Sequence, residues 1–229
     1  MLIEGELHEA PHVVARQTDL LANPLRELAA YLRRSPPQVV VTCARGSSGH
    51  AANFGKYLIE RHLGIPVAAV APSIMTIYRQ GLQLKGQLFL TISQSGRSDD
   101  LVEAASSARA FGALTAAIVN DTRSPLASAC DIVLPMGAGK EFSVAATKTF
   151  VASVAVLLNL TATWACQRSI QAALERLPER LGEAAKLDWS PALSALYEAK
   201  TLATLGRGPT LAIAQEASLK LKECLQHTG

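Results

Sequence analysis

Two short hydroxyl-rich stretches carry the first chemistry in this sequence. Ala44-Arg45-Gly46-Ser47-Ser48-Gly49 and Ser93-Gln94-Ser95-Gly96-Arg97-Ser98 each follow an apolar run and precede a helical one. A turn of this kind, opening a helix, offers backbone N–H groups, the positive end of the helix dipole and short hydroxyl donors. Together these hold a phosphate without a lysine. Gly46, Ser47, Ser48, Ser93, Gln94, Ser95 and Ser98 are the candidate ligands. For one loop alone, helix capping by Ser48 or Ser98 explains the pattern as well. Two such loops at equivalent strand ends favour the ligand.

A second constellation lies near the end of the chain. Glu216, Lys220, Glu223 and His227 recur at i, i+4, i+7 and i+11, so a helix aligns a carboxylate, an ammonium, a carboxylate and an imidazole along one face. Beside a ligand crevice such a row would move protons between neighbouring sugar carbons. By geometry alone the plainer reading is a solvated face with a Glu216–Lys220 pair worth ~0.3–0.5 kcal/mol. A third cluster, Glu141 to Lys148, opens a long apolar helix expected at 144–166. There Glu141 and Ser143 read as caps, and Lys148 either snorkels or closes the crevice.

Other signatures are missing. The sequence has no G-x-G-x-x-G after a strand and no G-x-x-x-x-G-K-[ST], which argues against dinucleotides and ATP. Ser95 resembles a nucleophile elbow, but position 93 is Ser where that motif needs Gly. Cys43, Cys130, Cys166 and Cys224 are far apart and form no C-x-x-C pair, so neither a metal nor another cofactor is expected. The formal charge of +3 and the lack of any basic run beyond Arg33-Arg34 give no nucleic-acid footprint.

The elements that must position these residues follow from the pattern. From Val39, short apolar runs alternate with amphipathic ones, as parallel strands joined by helices do. Strands are expected at 39–43, 67–70, 88–92, 114–119 and 132–134, with helices at about 48–62 and 99–111. The runs are near-continuously apolar, so both sheet faces should be covered. This predicts an α/β, three-layer αβα sandwich around a doubly wound five-stranded parallel sheet. Residues 11–34 read as a helix. The uncharged stretch from Thr149 to Gln167 contains Ser153, Asn159, Thr161 and Thr163 and reads as a buried or dimer-forming helix, not a membrane span. Pro178 is expected to kink or break the next helix. Near Leu187 the pattern restarts, with a strand at 201–205, a Gly-containing turn and a last helix from about Thr210. The expected division is a helical segment at 1–38, a first domain at 39–187 and the start of a second at 188–229. Met1 to Glu6 shows no secretory order, so a cytoplasmic protein is expected.

Four of these motifs, in this order, resemble the sugar isomerase (SIS) domain family: Arg45-Gly46-Ser47-Ser48, Ser93-Gln94-Ser95-Gly96, Val144-Ala145-Ala146-Thr147-Lys148 and Glu216 to Glu223. The family includes the isomerase half of glucosamine-fructose-6-phosphate aminotransferase and free-standing glucosamine-6-phosphate deaminases. The resemblance implies a flavodoxin-like fold and a hexose phosphate gripped by the two serine turns. It also implies sugar contacts from Val144 and Ala146, Lys220 near the sugar, and Glu223 as the base that shuttles a proton between C1 and C2. The paired second domain of the family carries a ring-opening histidine and a carbonyl-engaging lysine, and neither motif occurs in these 229 residues. His227 is a stand-in on helical spacing only. No glutaminase cysteine domain precedes the motifs, so the expectation is an aminosugar-phosphate isomerase or deaminase, a homodimer without nucleic-acid or membrane partners. The rival expectations are a phosphosugar sensor without catalysis and an inactive fragment.

Overall fold

A computed structural model describes residues 2–225. The chain opens on α1 (Leu2–Arg34), then runs β1 (Val40–Cys43), α2 (Gly46–Leu63), β2 (Val67–Ala69), α3 (Ser73–Thr76), β3 (Leu88–Ser93), α4 (Asp99–Ala110), β4 (Leu114–Val119), α5 (Pro125–Ala129) and β5 (Ile132–Pro135). Then follow α6 (Lys148–Trp164), α7 (Arg168–Ala184), a 3-10 turn at Ser190–Ala192, α8 (Leu193–Glu198) and α9 (Pro209–Leu225). All strand pairs are parallel, in the order β2-β1-β3-β4-β5.

The near-continuous apolar strands divide their side chains between two cores. Val40, Leu88, Leu90 and Ile92 pack with Leu21, Leu28, Leu32, Leu157, Leu160 and Trp164 from α1 and α6. Val41, Cys43 and Phe89 point the other way, onto Leu101, Ala104 and Ala108 of α4. This alternation on a strand buried on both faces is what the runs required. Apart from Lys148 at its start, α6 carries no charge, and it is buried against α1 and α2. Among the described residues no helix is long and apolar enough to cross a membrane.

Three elements differ from expectation. α1 begins at Leu2 and passes through Pro11 and Pro24, because Glu6, Ala10, Val13, Val14, Gln17, Leu21 and Leu25 form one buried stripe. Tertiary burial there outweighs the missing proline N–H groups. Pro178 likewise does not end α7. The strand expected at 201–205 does not form; residues 201–207 are irregular. Among the described residues no strand offers that run a ladder of hydrogen bonds, and it leans on α9 through Thr204 Oγ1, which donates to the Ala214 carbonyl at 2.7 Å.

Candidate active site

Strand order reverses between β1 and β3, and in such sheets ligands gather beyond the carboxyl ends at that point. The serine turns leave the sheet there. Between them is a cleft of about 310 Å³ lined by Gly46, Ser48, Ser93, Gln94, Ser95 and Ser98, with Arg45 at its edge. Six of the seven candidate phosphate ligands line one wall or the other, and Ser47 stands beside Ser48 in the first turn of α2.

Local sequence explains each turn. Gly46 takes a left-handed φ of 53°, which lets α2 start directly after β1. No side chain caps that start and no acid occupies its first turn, which leaves the first amides of α2 free of a side-chain acceptor at the cleft. In the other turn, Ser93 Oγ accepts from the Gly96 amide at 3.1 Å and Ser95 Oγ from the Arg97 amide at 3.2 Å. Gly96 has φ 62°, and a Cβ there would collide with the Ser124 side chain. The capping alternative gains nothing from the geometry. Ser48 lies within α2, whose N-cap is Arg45, and Ser98 at the N-cap of α4 makes no capping bond.

The arginines of the motifs face acids. Arg45 pairs with Asp100 and Arg97 with Asp121, each at 2.9 Å. The Arg123 amide and, against the effect of burial, the Arg97 guanidinium hold the Asp121 carboxyl below its usual range. Hydroxyls and helix amides are therefore the uncommitted donors of the cleft.

The second constellation reaches the first serine turn because α9 packs on α2. Lys220 Nζ is 3.3 Å from Ser47 Oγ, 2.6 Å from Glu223 Oε2 and 3.2 Å from Glu216 Oε1. Glu216 is only 5% exposed, which removes the solvated-face reading. Its Oε2 is 2.8 Å from His50 Nδ1, and Asn53 Nδ2 donates to Gln215 Oε1 at 2.8 Å one turn further along α2. His227 lies outside the described residues.

The third cluster divides. Ala146 lines an apolar groove of about 400 Å³ with Phe150, Val151, Glu216 and Lys220, whereas Val144 is 87% exposed. Glu141 accepts from the Thr147 and Thr149 amides at 2.9 and 3.1 Å and from the Thr149 hydroxyl, so it organises the start of α6. Lys148 does not snorkel. It is 2% exposed, with Nζ 2.6 Å from Glu9 and 3.9 Å from Glu6 of α1. Glu6 in turn accepts from the Phe142 and Ser143 amides and the Ser143 hydroxyl. Burial works to raise the Glu6 carboxyl, but those bonds and Lys148 outweigh it and leave it below its ordinary value.

Sequence reasoning passed over His50, Asn53, Gln215 and Glu6. His50 has a local signal in hindsight, one turn after Ser47 on a helix face. The others have none before the helices are docked. Among the described residues no group of three His, Cys, Asp or Glu side chains is placed to hold a metal. Burial pushes the Cys43 and Cys130 thiols up to about 12, far from nucleophilic use.

Strand order, cleft and donors together define a doubly wound α/β domain with a hydroxyl-lined crevice at its switch point. Comparison with known proteins gives that class a family. The model of the SIS domain matches residues 35–162, more than half of the chain. A crystal structure from Silicibacter pomeroyi DSS-3, provisionally named a phosphosugar isomerase, is 42% identical and superposes with a TM-score of 0.96 over 99% of this chain and 69% of that one. The C-terminal domain of glucosamine-fructose-6-phosphate aminotransferase from Francisella tularensis is 26% identical, with a TM-score of 0.75 over 97% of this chain and 67% of that one. The glutamine–fructose-6-phosphate aminotransferase of Symbiobacterium thermophilum is 36% identical over 85% of this chain and 33% of its own length. The chain belongs to the SIS domain family, related to phosphosugar isomerases and to the isomerase domain of that aminotransferase. It spans well under half the length of the curated relatives it is compared with, 33% of the Symbiobacterium thermophilum enzyme among them.

Proposed function

We propose that the protein is an aminosugar-phosphate isomerase or deaminase that binds the open chain of a hexose 6-phosphate across α2, β3 and α9. The phosphate sits in the serine cleft, held by Ser47, Ser48, Ser93, Gln94, Ser95 and Ser98 and by the start of α2. The Glu223 carboxylate takes the C2 proton, and its electron pair forms the C1–C2 double bond of an enediol or enolamine while O1 gains a proton. The same carboxyl returns its proton to C1 while the hydroxyl or amino group on C2 gives up a proton to water and becomes a carbonyl or imine. Water hydrolyses the imine of an aminosugar to ketose and ammonia. Lys220 holds Glu223 in place, and Ala146 borders the sugar.

One observation carries this reading: a single ammonium, Lys220 Nζ, touches both Ser47 of the phosphate turn and Glu223. The phosphate grip and the proton-moving carboxylate are thereby set at a fixed separation. Within the same reading, residues 188–229 belong to a second unit of this fold, and the protein works as a cytoplasmic homodimer. The test is Glu223→Gln with glucosamine 6-phosphate as substrate. Ammonia release should vanish while fructose 6-phosphate still binds, because only the transition-state interaction is removed. Loss of binding together with turnover would refute the assignment, and binding by a wild-type protein without turnover would make it a sensor.

A further inference from the structure

His50 takes no part in the chemistry above, yet the Glu216 carboxylate closes on it. It sits one turn after Ser47, on the face of α2 that α9 covers. From its Nδ1 a chain of polar contacts runs 2.8 Å to Glu216 Oε2, then by an ion-pair contact of 3.2 Å, without hydrogen-bond geometry, from Glu216 Oε1 to Lys220 Nζ, and from there 2.6 Å to Glu223 Oε2. The Glu216 side chain is 6% exposed, so water does not neutralise it. A carboxylate taken out of water needs its partners. Deprived of His50, it would have Lys220 alone and would draw that ammonium away from Ser47 and Glu223.

We infer that His50 is a positioning residue which, acting through Glu216, fixes Lys220 between Ser47 and Glu223 and so sets the distance from the phosphate turn to the proton-moving carboxylate. The inference deepens the reading of Glu223 and rests on it. It matters because a reacting group displaced by about 1 Å loses on the order of 100-fold in rate. The His50 ring also borders a cavity of about 320 Å³ beside Thr42, Asn53 and Lys56, so glutamine or leucine fits at this position.

The full chain, with His50→Leu, His50→Gln, Glu216→Gln and Glu223→Gln variants, is compared in steady-state ammonia release from glucosamine 6-phosphate and in calorimetric binding of fructose 6-phosphate. His50→Leu should lower kcat about 10- to 100-fold, with KM and fructose 6-phosphate affinity within about twofold of wild type. His50→Gln, whose amide donates to Glu216, should recover most of the loss. The double variant His50→Leu with Glu216→Gln should be no slower than Glu216→Gln alone. Wild-type kcat in His50→Leu, no recovery in His50→Gln, or a loss shared equally by kcat and affinity would overturn the inference. If His50→Leu does not fold, Glu216→Gln decides: a kcat loss at unchanged KM supports the inference and an unchanged kcat overturns it. A Glu223→Gln variant as fast as wild type overturns the reading of Glu223 and the inference with it. An inactive Glu223→Gln beside a fully active His50→Leu overturns the inference alone.

Discussion

Replacing Glu6 with alanine should unfasten the loop that carries Ala146. The carboxylate is 3% exposed, accepts from two amides and a hydroxyl of residues 142–143, and lies 3.9 Å from the buried Lys148 ammonium. A hydrogen bond to a charged group contributes about 1.5–3 kcal/mol, and breaking a buried ion pair costs about 3–5 kcal/mol. Lys148 keeps Glu9 at 2.6 Å, so the lower end applies and the variant should lose about 3 kcal/mol. The pH dependence has a definite sign. The folded carboxyl lies below its ordinary value of 4.5, so its contribution is fully present above that value and is lost as pH falls through the folded one. Urea unfolding of wild type and Glu6→Ala should therefore differ by about 3 kcal/mol at neutral pH, with equal m-values, and converge in acid only as pH falls through the lowered folded value. A difference under about 0.5 kcal/mol at neutral pH, or one that persists unchanged into acid, would refute this account of the loop.

Two further outcomes follow from the turns and the thiols. Gly96→Ala forces a side chain into a left-handed backbone and against Ser124, so it should cost roughly 2–4 kcal/mol and weaken fructose 6-phosphate binding. Thermal unfolding and calorimetry check it, and a tolerated alanine would show that the turn does not depend on this conformation. A neutral-pH thiol reagent should label Cys166 and Cys224 in the native protein, both exposed, and reach Cys43 and Cys130 only in denaturant. Rapid native labelling of four thiols would contradict the burial that raises two of them to about 12.

The serine turns were legible because a strand end, a glycine and a helix start are adjacent in sequence, and so are the hydroxyls they present. The α9 face was legible for a similar reason, since Glu216, Lys220 and Glu223 share a helix and its period places them together. What that face meets was not legible. His50 and Glu216 are 166 residues apart, and only the packing of α9 on α2 turns a row that reads as solvated into a buried carboxylate and a bridging ammonium. Lys148 shows the same limit: its neighbours in sequence suggest a surface lysine, but α1 covers it with Glu6 and Glu9.

The error at residues 201–205 has the same origin. A β-prone run becomes a strand only when a neighbour completes its hydrogen bonds, and among the described residues none stands beside this one. The long α1 is the opposite case, where a buried stripe carries a helix through two prolines that local rules treat as breaks. By itself the sequence determined what local periodicity and turn chemistry control: strands buried on both faces, their parallel connection, the two hydroxyl turns and the spacing of the α9 side chains. Tertiary structure alone decided which charges are buried, which pair, and that the Lys220 ammonium touches both Ser47 and Glu223, because desolvation and ion pairing depend on distances between segments that the chain's order does not fix.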